Sequence, residues 1–242
     1  MQSTVRYDLS FGVPGEIIVD GLKRVQTGML HSADAAYNIV GKTAFTRPVA
    51  GGRVAAGGVI GASNVFAGIL CNPKVYASLG TSSGGSLAAT MTLPNEVNAE
   101  LCLTTSGIVI SVGAACAIGD KVIYDTTTGA LSTVKPVAAF TGVIAVTTGV
   151  LTVSSVTAGS VGIGTVLKSA SGNILATITG LGTGTGGAGT YNTNITTAVS
   201  SQAMTAETVP ASGYAFVPNT TIIRNPQTTS GGGLALAAMA NS

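Results

Sequence analysis

The sequence predicts an all-β protein: a β-sandwich or β-barrel parent domain carrying an inserted small β domain, with little helix. Three observations lead there. From Pro136 to Ala206, 71 residues hold a single charged side chain, Lys168, and are otherwise mostly Gly, Thr, Ser and β-branched residues. Within that run, alternations such as LTVSSVTA and NILATITG are broken by glycine clusters, the period-two signature of short strands between turns. No window of the chain sustains a 3.6-residue period, so no amphipathic helix is expected.

In chain order, Met1 to Pro14 reads as an N-terminal arm. Either it is an extended strap that adds to a neighbour's sheet edge, or it is the first strand of the parent domain. GEIIVDG predicts a strand over Glu16 to Asp20, ended by Asp20 and Gly21. NVFAGIL, Asn64 to Leu70, is a second, bounded by Asn72 and Pro73. SGIVISVG, Ser106 to Gly113, is the most apolar. GDKVIYDTTTGAL predicts a hairpin whose first strand is Lys121 to Tyr124 and whose turn chemistry lies in Asp125 to Gly129.

Composition excludes several functions. A membrane helix needs about 20 predominantly apolar residues, and in the uncharged run Thr, Ser and Gly interrupt every few positions. No apolar segment of a secretory signal stands near Met1, so the chain is expected to fold where it is made, in a reducing interior. Cys71, Cys102 and Cys116 are odd in number and sit in apolar contexts, which predicts buried free thiols rather than a disulfide framework or a zinc site. The net charge of +2 is scattered, with Lys23 and Arg24 the only adjacent basic pair, and six Tyr and five Phe are not interleaved with basic residues. Nucleic-acid binding is therefore not expected.

Catalytic chemistry is missing from the sequence. His31 is the only histidine, no Ser/His/Asp arrangement can be nominated, and the nine acidic residues read as ion-pair or turn groups. GGRVAAGG and TSSGGS lack the GxxxxGK pattern of a phosphate loop and read as turns. No cofactor, metal site or catalytic residue is expected. Charged residues make up 8% of the chain, against about 25% in an ordinary soluble domain. Such a weakly repelling surface suits residence in an assembly.

Five segments carry a resemblance: VRYDLSFGVPGEIIVDG, VFAGILCNPKVYASLG, ELCLTTSGIVISVGAA, AIGDKVIYDTTTGAL and AFVPNTTIIRNPQTTSGGGLALAAM. Together, over roughly residues 1 to 143 and 207 to 242, the chain resembles the structural cement, or capsid decoration, proteins of tailed bacteriophages. Separately, Gly149 to Thr205, with its LGTGTGGAGTYNTN signature, is similar to a small all-β module inserted in various phage structural proteins. The resemblance implies a discontinuous parent, residues 1–146 and 206–242, with a module at 147–205. On this reading VAAFTGVIAV and AFVPNTTIIRN flank the module as adjacent strands of the parent.

The resemblance further implies a homo-oligomer without enzymatic activity. It would be made in the host cytoplasm and bind the major capsid protein on the outer virion surface, across joints between capsomers, to resist the pressure of packaged DNA. A dimer is favoured, with a trimer as the alternative. Candidate capsid contacts are Arg6, Tyr7 and Phe11 on the arm, and Arg47 and Arg53 within FTRPVAGGRVAAGG, where a guanidinium suits a capsid carboxylate. On the module, Thr190, Tyr191, Asn192 and Asn194 are the candidate surface contacts for a host-surface glycan or another protein, the alternative being that the module is inert bulk or an extra intersubunit contact. A tail-spike or fibre adhesin is the rival reading, and a glycan hydrolase a more distant one.

Overall fold

The computed structural model describes residues 12–18, 21–71, 91–229 and 232–240, except the side chains of 225–229. Among them the chain is β throughout, with a single short 3-10 turn at Ala35–Tyr37, as the sequence predicts.

The strands fall into two sets. The first is built on β1 (Arg24–Met29), β2 (Ala44–Pro48), β3 (Ala55–Ala56), β4 (Asn64–Leu70), β5 (Asn98–Val112), β6 (Lys121–Asp125) and β7 (Leu131–Val134). Five more, β8 (Val137–Ile144), β9 (Val150–Ala158), β10 (Val166–Ser169), β11 (Ile174–Leu181) and β12 (Gly189–Thr193), precede β13 (Val199–Glu207), β14 (Tyr214–Thr229) and β15 (Gly232–Met239). One sheet runs in the order β3-β2-β4-β5-β15-β14-β6-β7, with β1 on β5 outside this path. A closed barrel takes β10-β11-β12-β9-β8-β13.

Strand β5 joins the two halves of the sheet. Its first half pairs with β1 and β4, its second half with β15, and the N-terminal segment lies along it through the Ile17–Ile108 bridge and Gly15 N–H donating to Val109 C=O at 2.8 Å. The expected strand at Glu16 to Asp20 is thus paired as far as Ile18; residues 19–20 lie outside the described ones. Buried on both faces, β4 and β5 divide their side chains between two cores. Ile69, Cys71, Cys102, Ile108 and Ile110 pack with Tyr124, Leu131 and Ile222, whereas Ala67, Leu70, Ala99 and Leu101 pack with Leu30, Phe45 and Val54. The three cysteines are buried thiols outside any disulfide, as expected.

Strand β4 has the predicted limits, and β6 and β7 form the predicted hairpin, whose Asp125 Oδ1 accepts the N–H groups of Thr127 and Thr128 at 2.8 Å each. One expectation is corrected. VAAFTGVIAV is not a neighbour of AFVPNTTIIRN, because β8 pairs with β9 and β13, while β14 pairs with β6 and β15. The barrel therefore runs from Val137 to Glu207, not from 147 to 205. Ala138, Phe140 and Ile144 alternate inward from β8 to meet Leu151, Leu167, Ile178, Met204 and Ala206, and side chains fill the barrel completely enough to bury them all.

Candidate functional site

Tyr191 is the largest side chain of the barrel core and is fully buried. Its hydroxyl accepts the N–H of Gly186 at 3.0 Å and donates to Gly187 C=O at 2.7 Å, so the phenol is satisfied inside the barrel. Gly184 has to be glycine: a Cβ there would run into the Tyr191 ring. The LGTGTGGAGT run is therefore a loop folded over a tyrosine, and Tyr191 is corrected from surface contact to core. Period-two alternation across Thr190, Tyr191 and Asn192 drives it inward, since the ring takes the face that its polar neighbours leave.

The other module candidates are largely engaged within the barrel. Thr190 Oγ1 accepts the Thr183 N–H at 2.9 Å and its own N–H reaches Thr183 Oγ1 at 3.0 Å. Asn194 ties β11 to the chain after β12, its Oδ1 accepting the Thr177 N–H at 2.7 Å. Asn192 is exposed. Phe140 and Tyr191 are the only aromatic residues between Val137 and Glu207, and both are buried.

Arg6, Tyr7 and Phe11 lie outside the described residues. Arg47 is half-buried at the end of β2, opposite Val65 of β4. Arg53 is exposed but already engaged: its guanidinium is 3.1 Å from Glu96 Oε1, the same oxygen that lies 2.6 Å from His31 Nδ1. Two groups on different loops thus share one carboxylate. The structure does not bring Arg47 into this cluster among the described ion pairs.

A feature the sequence reading passed over is β1 with the residues before it. Leu22, Lys23, Arg24, Val25, Thr27 and Met29 are all exposed, Leu22 at 83%. Lys23 and Arg24 have no carboxylate within ion-pair distance among the described residues, unlike Lys121, Lys135 and Arg53, which pair with Glu207, Asp120 and Glu96. The signal available in the sequence was the adjacency of two basic residues ahead of a short alternating VQTGM.

Among the described residues no group of three or more His, Cys, Asp or Glu side chains could hold a metal ion, and no helix is long and apolar enough to cross a membrane. Cys71 and Cys102 lie on one face of the β4–β5 pair, Cys102 opposite Ile69, and both are buried. The side-chain hydrogen bond in which the protonated Cys71 thiol is the donor toward Cys102, with burial added to it, pushes the Cys71 thiol up, which leaves it inert as a nucleophile.

A sheet whose strands come from both ends of the chain, a closed barrel between them and a composition poor in charge suit a structural protein of an assembly. Residues 1–180 of the 242 match the structural cement protein family (E217 gp24/Pam3 gp6), and the chain belongs to that phage family. The match runs beyond residue 143 into β11 of the barrel and stops short of β12 to β15. A search of curated proteins finds no match. The chain is thus a structural component of a phage virion, and its partner is the capsid.

Proposed function

We propose that the protein performs no reaction and binds the outer surface of the capsid across joints between capsomers, holding the shell against the pressure of packaged DNA. The family match over residues 1–180 carries this reading. The mechanism is linkage. A ligand that binds only the assembled lattice stabilises it by RT ln(1 + [L]/Kd), about 2.7 kcal/mol per site at a hundredfold excess over Kd. Summed over many sites, modest local grips become a large barrier to rupture. In a dimer, each unit holds two capsid subunits, and the second contact forms at the raised effective concentration set by the first.

The barrel is bulk or an additional contact in this scheme, not a glycan site. Sugar rings stack on exposed aromatic faces, and the barrel buries both of its aromatic side chains. The test is co-sedimentation with undecorated, expanded shells, followed by heating. Saturable binding that raises the rupture temperature is expected; shells that rupture at the same temperature with the protein present would overturn the proposal.

A further inference from the structure

Met29 C=O accepts a hydrogen bond from Val54 N–H at 2.9 Å, on the side of β1 away from β5. In an antiparallel strand the N–H and C=O of one residue point to the same side, and the side alternates with each residue. Leu30 agrees with this phase, since its N–H donates to Val97 C=O and its C=O accepts from Glu96 N–H, both toward the β5 side. Val25 and Thr27 therefore direct their N–H and C=O groups, and Met29 its N–H, away from β5. No hydrogen bond engages these groups among the described residues: the ladder of β1 is with β5, and Val54 reaches only Met29 C=O.

The open stretch has defined ends. At its C-terminal end Val54 takes over the edge through the parallel Leu30–Val54 bridge. Just before Val54 the chain turns away at Gly51 and Gly52, where an added Cβ would meet nothing within 4 Å. At the N-terminal end stand Lys23 and Arg24, exposed and without a carboxylate partner among the described residues. The side chains beside the edge, Val25 at 37% and Met29 at 38% exposure, offer apolar contact on one face.

We infer that the edge of β1 from Val25 to Met29 is a docking site for a short extended segment of the capsid protein, which adds as a strand and sets an acidic side chain against Lys23 and Arg24. The inference rests on the capsid-binding reading. A row of unpaired backbone donors and acceptors is complementary to an extended peptide and to little else. Lys23 and Arg24 at one end, unpaired among the described residues, then select an acidic residue there. A second copy of β1 is the poorer occupant. Laid antiparallel about Thr27, it would set the Lys23–Arg24 end of one copy on the His31–Arg53 end of the other, where Glu96 is already shared.

The experiment is binding of the full chain to expanded, undecorated shells of the same phage's capsid protein, with hydrogen exchange read in the free and bound protein. The Val25, Thr27 and Met29 amides are expected to exchange freely in the unbound protein and to become protected on the shell. Thr27→Pro deletes one outward N–H without removing a bond to β5, and is expected to weaken binding about tenfold, the worth of one to two backbone hydrogen bonds. The Lys23→Glu/Arg24→Glu double variant tests the acidic partner and is expected to lower affinity and flatten its salt dependence.

The proposal is overturned if a folded Thr27→Pro protein binds like the wild type, or if the three amides stay unprotected on the shell. It is overturned equally if they are protected in the free protein and Thr27→Pro converts an oligomer to a monomer, which assigns the edge to a second copy. Should Thr27→Pro fail to fold, exchange in the wild type decides alone. Failure of the wild type to bind shells at all sinks the capsid reading itself, an outcome distinct from the others.

Discussion

The barrel and the sheet bury apolar side chains with similar residues but carry opposite surfaces. All nine acidic residues of the chain lie outside 136–206, and within that run Lys168 is the one charge. The barrel closes on itself, so it has no free edge to defend, and its exterior can be Thr, Ser and Val without inviting edge-to-edge pairing. The sheet is open, and its ends are the two-residue β3, the four-residue β7 and β1. Charges gather where edges and loops need them: Lys23 and Arg24 at the start of β1, Arg53 with Glu96 beside β3, and Lys135 with the buried Asp120 beside β7. Closure can substitute for charge in keeping a β unit from the wrong neighbour. A unit left open keeps an edge available for the right one.

The comparison breaks most directly in the cores. Leu151, Ile178 and Tyr191 share a cluster that contains no residue of the sheet, and Ile108 and Ile110 share one that contains none of the barrel. Leu151→Ala and Ile108→Ala are each expected to destabilise by about 2 to 5 kcal/mol, the transfer loss plus the cavity left behind. In calorimetry each should lower one transition and leave the other in place. A single transition that moves equally with either variant would show that the two units fold as one.

A smaller effect sharpens the barrel's side. Tyr191→Phe keeps the ring beneath Gly184 and removes only the hydroxyl that lies between Gly186 N–H and Gly187 C=O. Leaving the buried Gly186 N–H unpaired, while the exposed Gly187 carbonyl turns to solvent, is expected to cost about 1 to 3 kcal/mol, read from the denaturant midpoint at constant slope. An unchanged midpoint would mean that water replaces the hydroxyl and that the loop is looser than its hydrogen bonds imply.

Much of this architecture was legible, and the errors have physical causes. Strand β4 was read at its true limits because Asn72 and Pro73 punctuate an apolar run. The β5 strand was read short: Glu100 and the Thr104–Thr105 pair interrupt its apolar pattern ahead of Ser106. β8 was assigned to the wrong unit because its alternation is as good as any parent strand's, and local pattern does not name the partner. Charge did: between Lys135 and Glu207 the one charge is Lys168, and the barrel strands occupy Val137 to Glu207. Tyr191 looked like a surface group because its neighbours are polar, yet in a strand polar neighbours are the reason a residue faces inward. β1 carries little strand signal because Val25, Thr27 and Met29 face outward and the residues between them are Gln26 and Gly28, so no apolar row marks its inner face.

The smallest effect separates the two units by acidity. Asp125 is shielded from solvent by the β6–β7 turn, which by itself would raise its carboxyl, but the N–H groups of Thr128 and Thr127 outweigh burial and hold it below the usual carboxylate range. A depressed carboxyl contributes stability that is complete above its unfolded pKa, about 3.9, and is lost as pH falls through the lower folded value. Asp125→Ala is therefore expected to cost about 1 kcal/mol at neutral pH, with the difference from wild type shrinking once pH drops below about 4. At the other extreme, burial pushes the Tyr124 phenol, which donates to Gly58 C=O at 2.9 Å, up to about 12. Its contribution is complete below the unfolded value, about 10, and is lost as pH rises toward the folded one. Both groups belong to the sheet. Glu207, exposed at the end of β13, is the one carboxylate on a barrel strand, so acid should lower the sheet's transition more than the barrel's, and a barrel as acid-sensitive as the sheet would have to borrow stability from it.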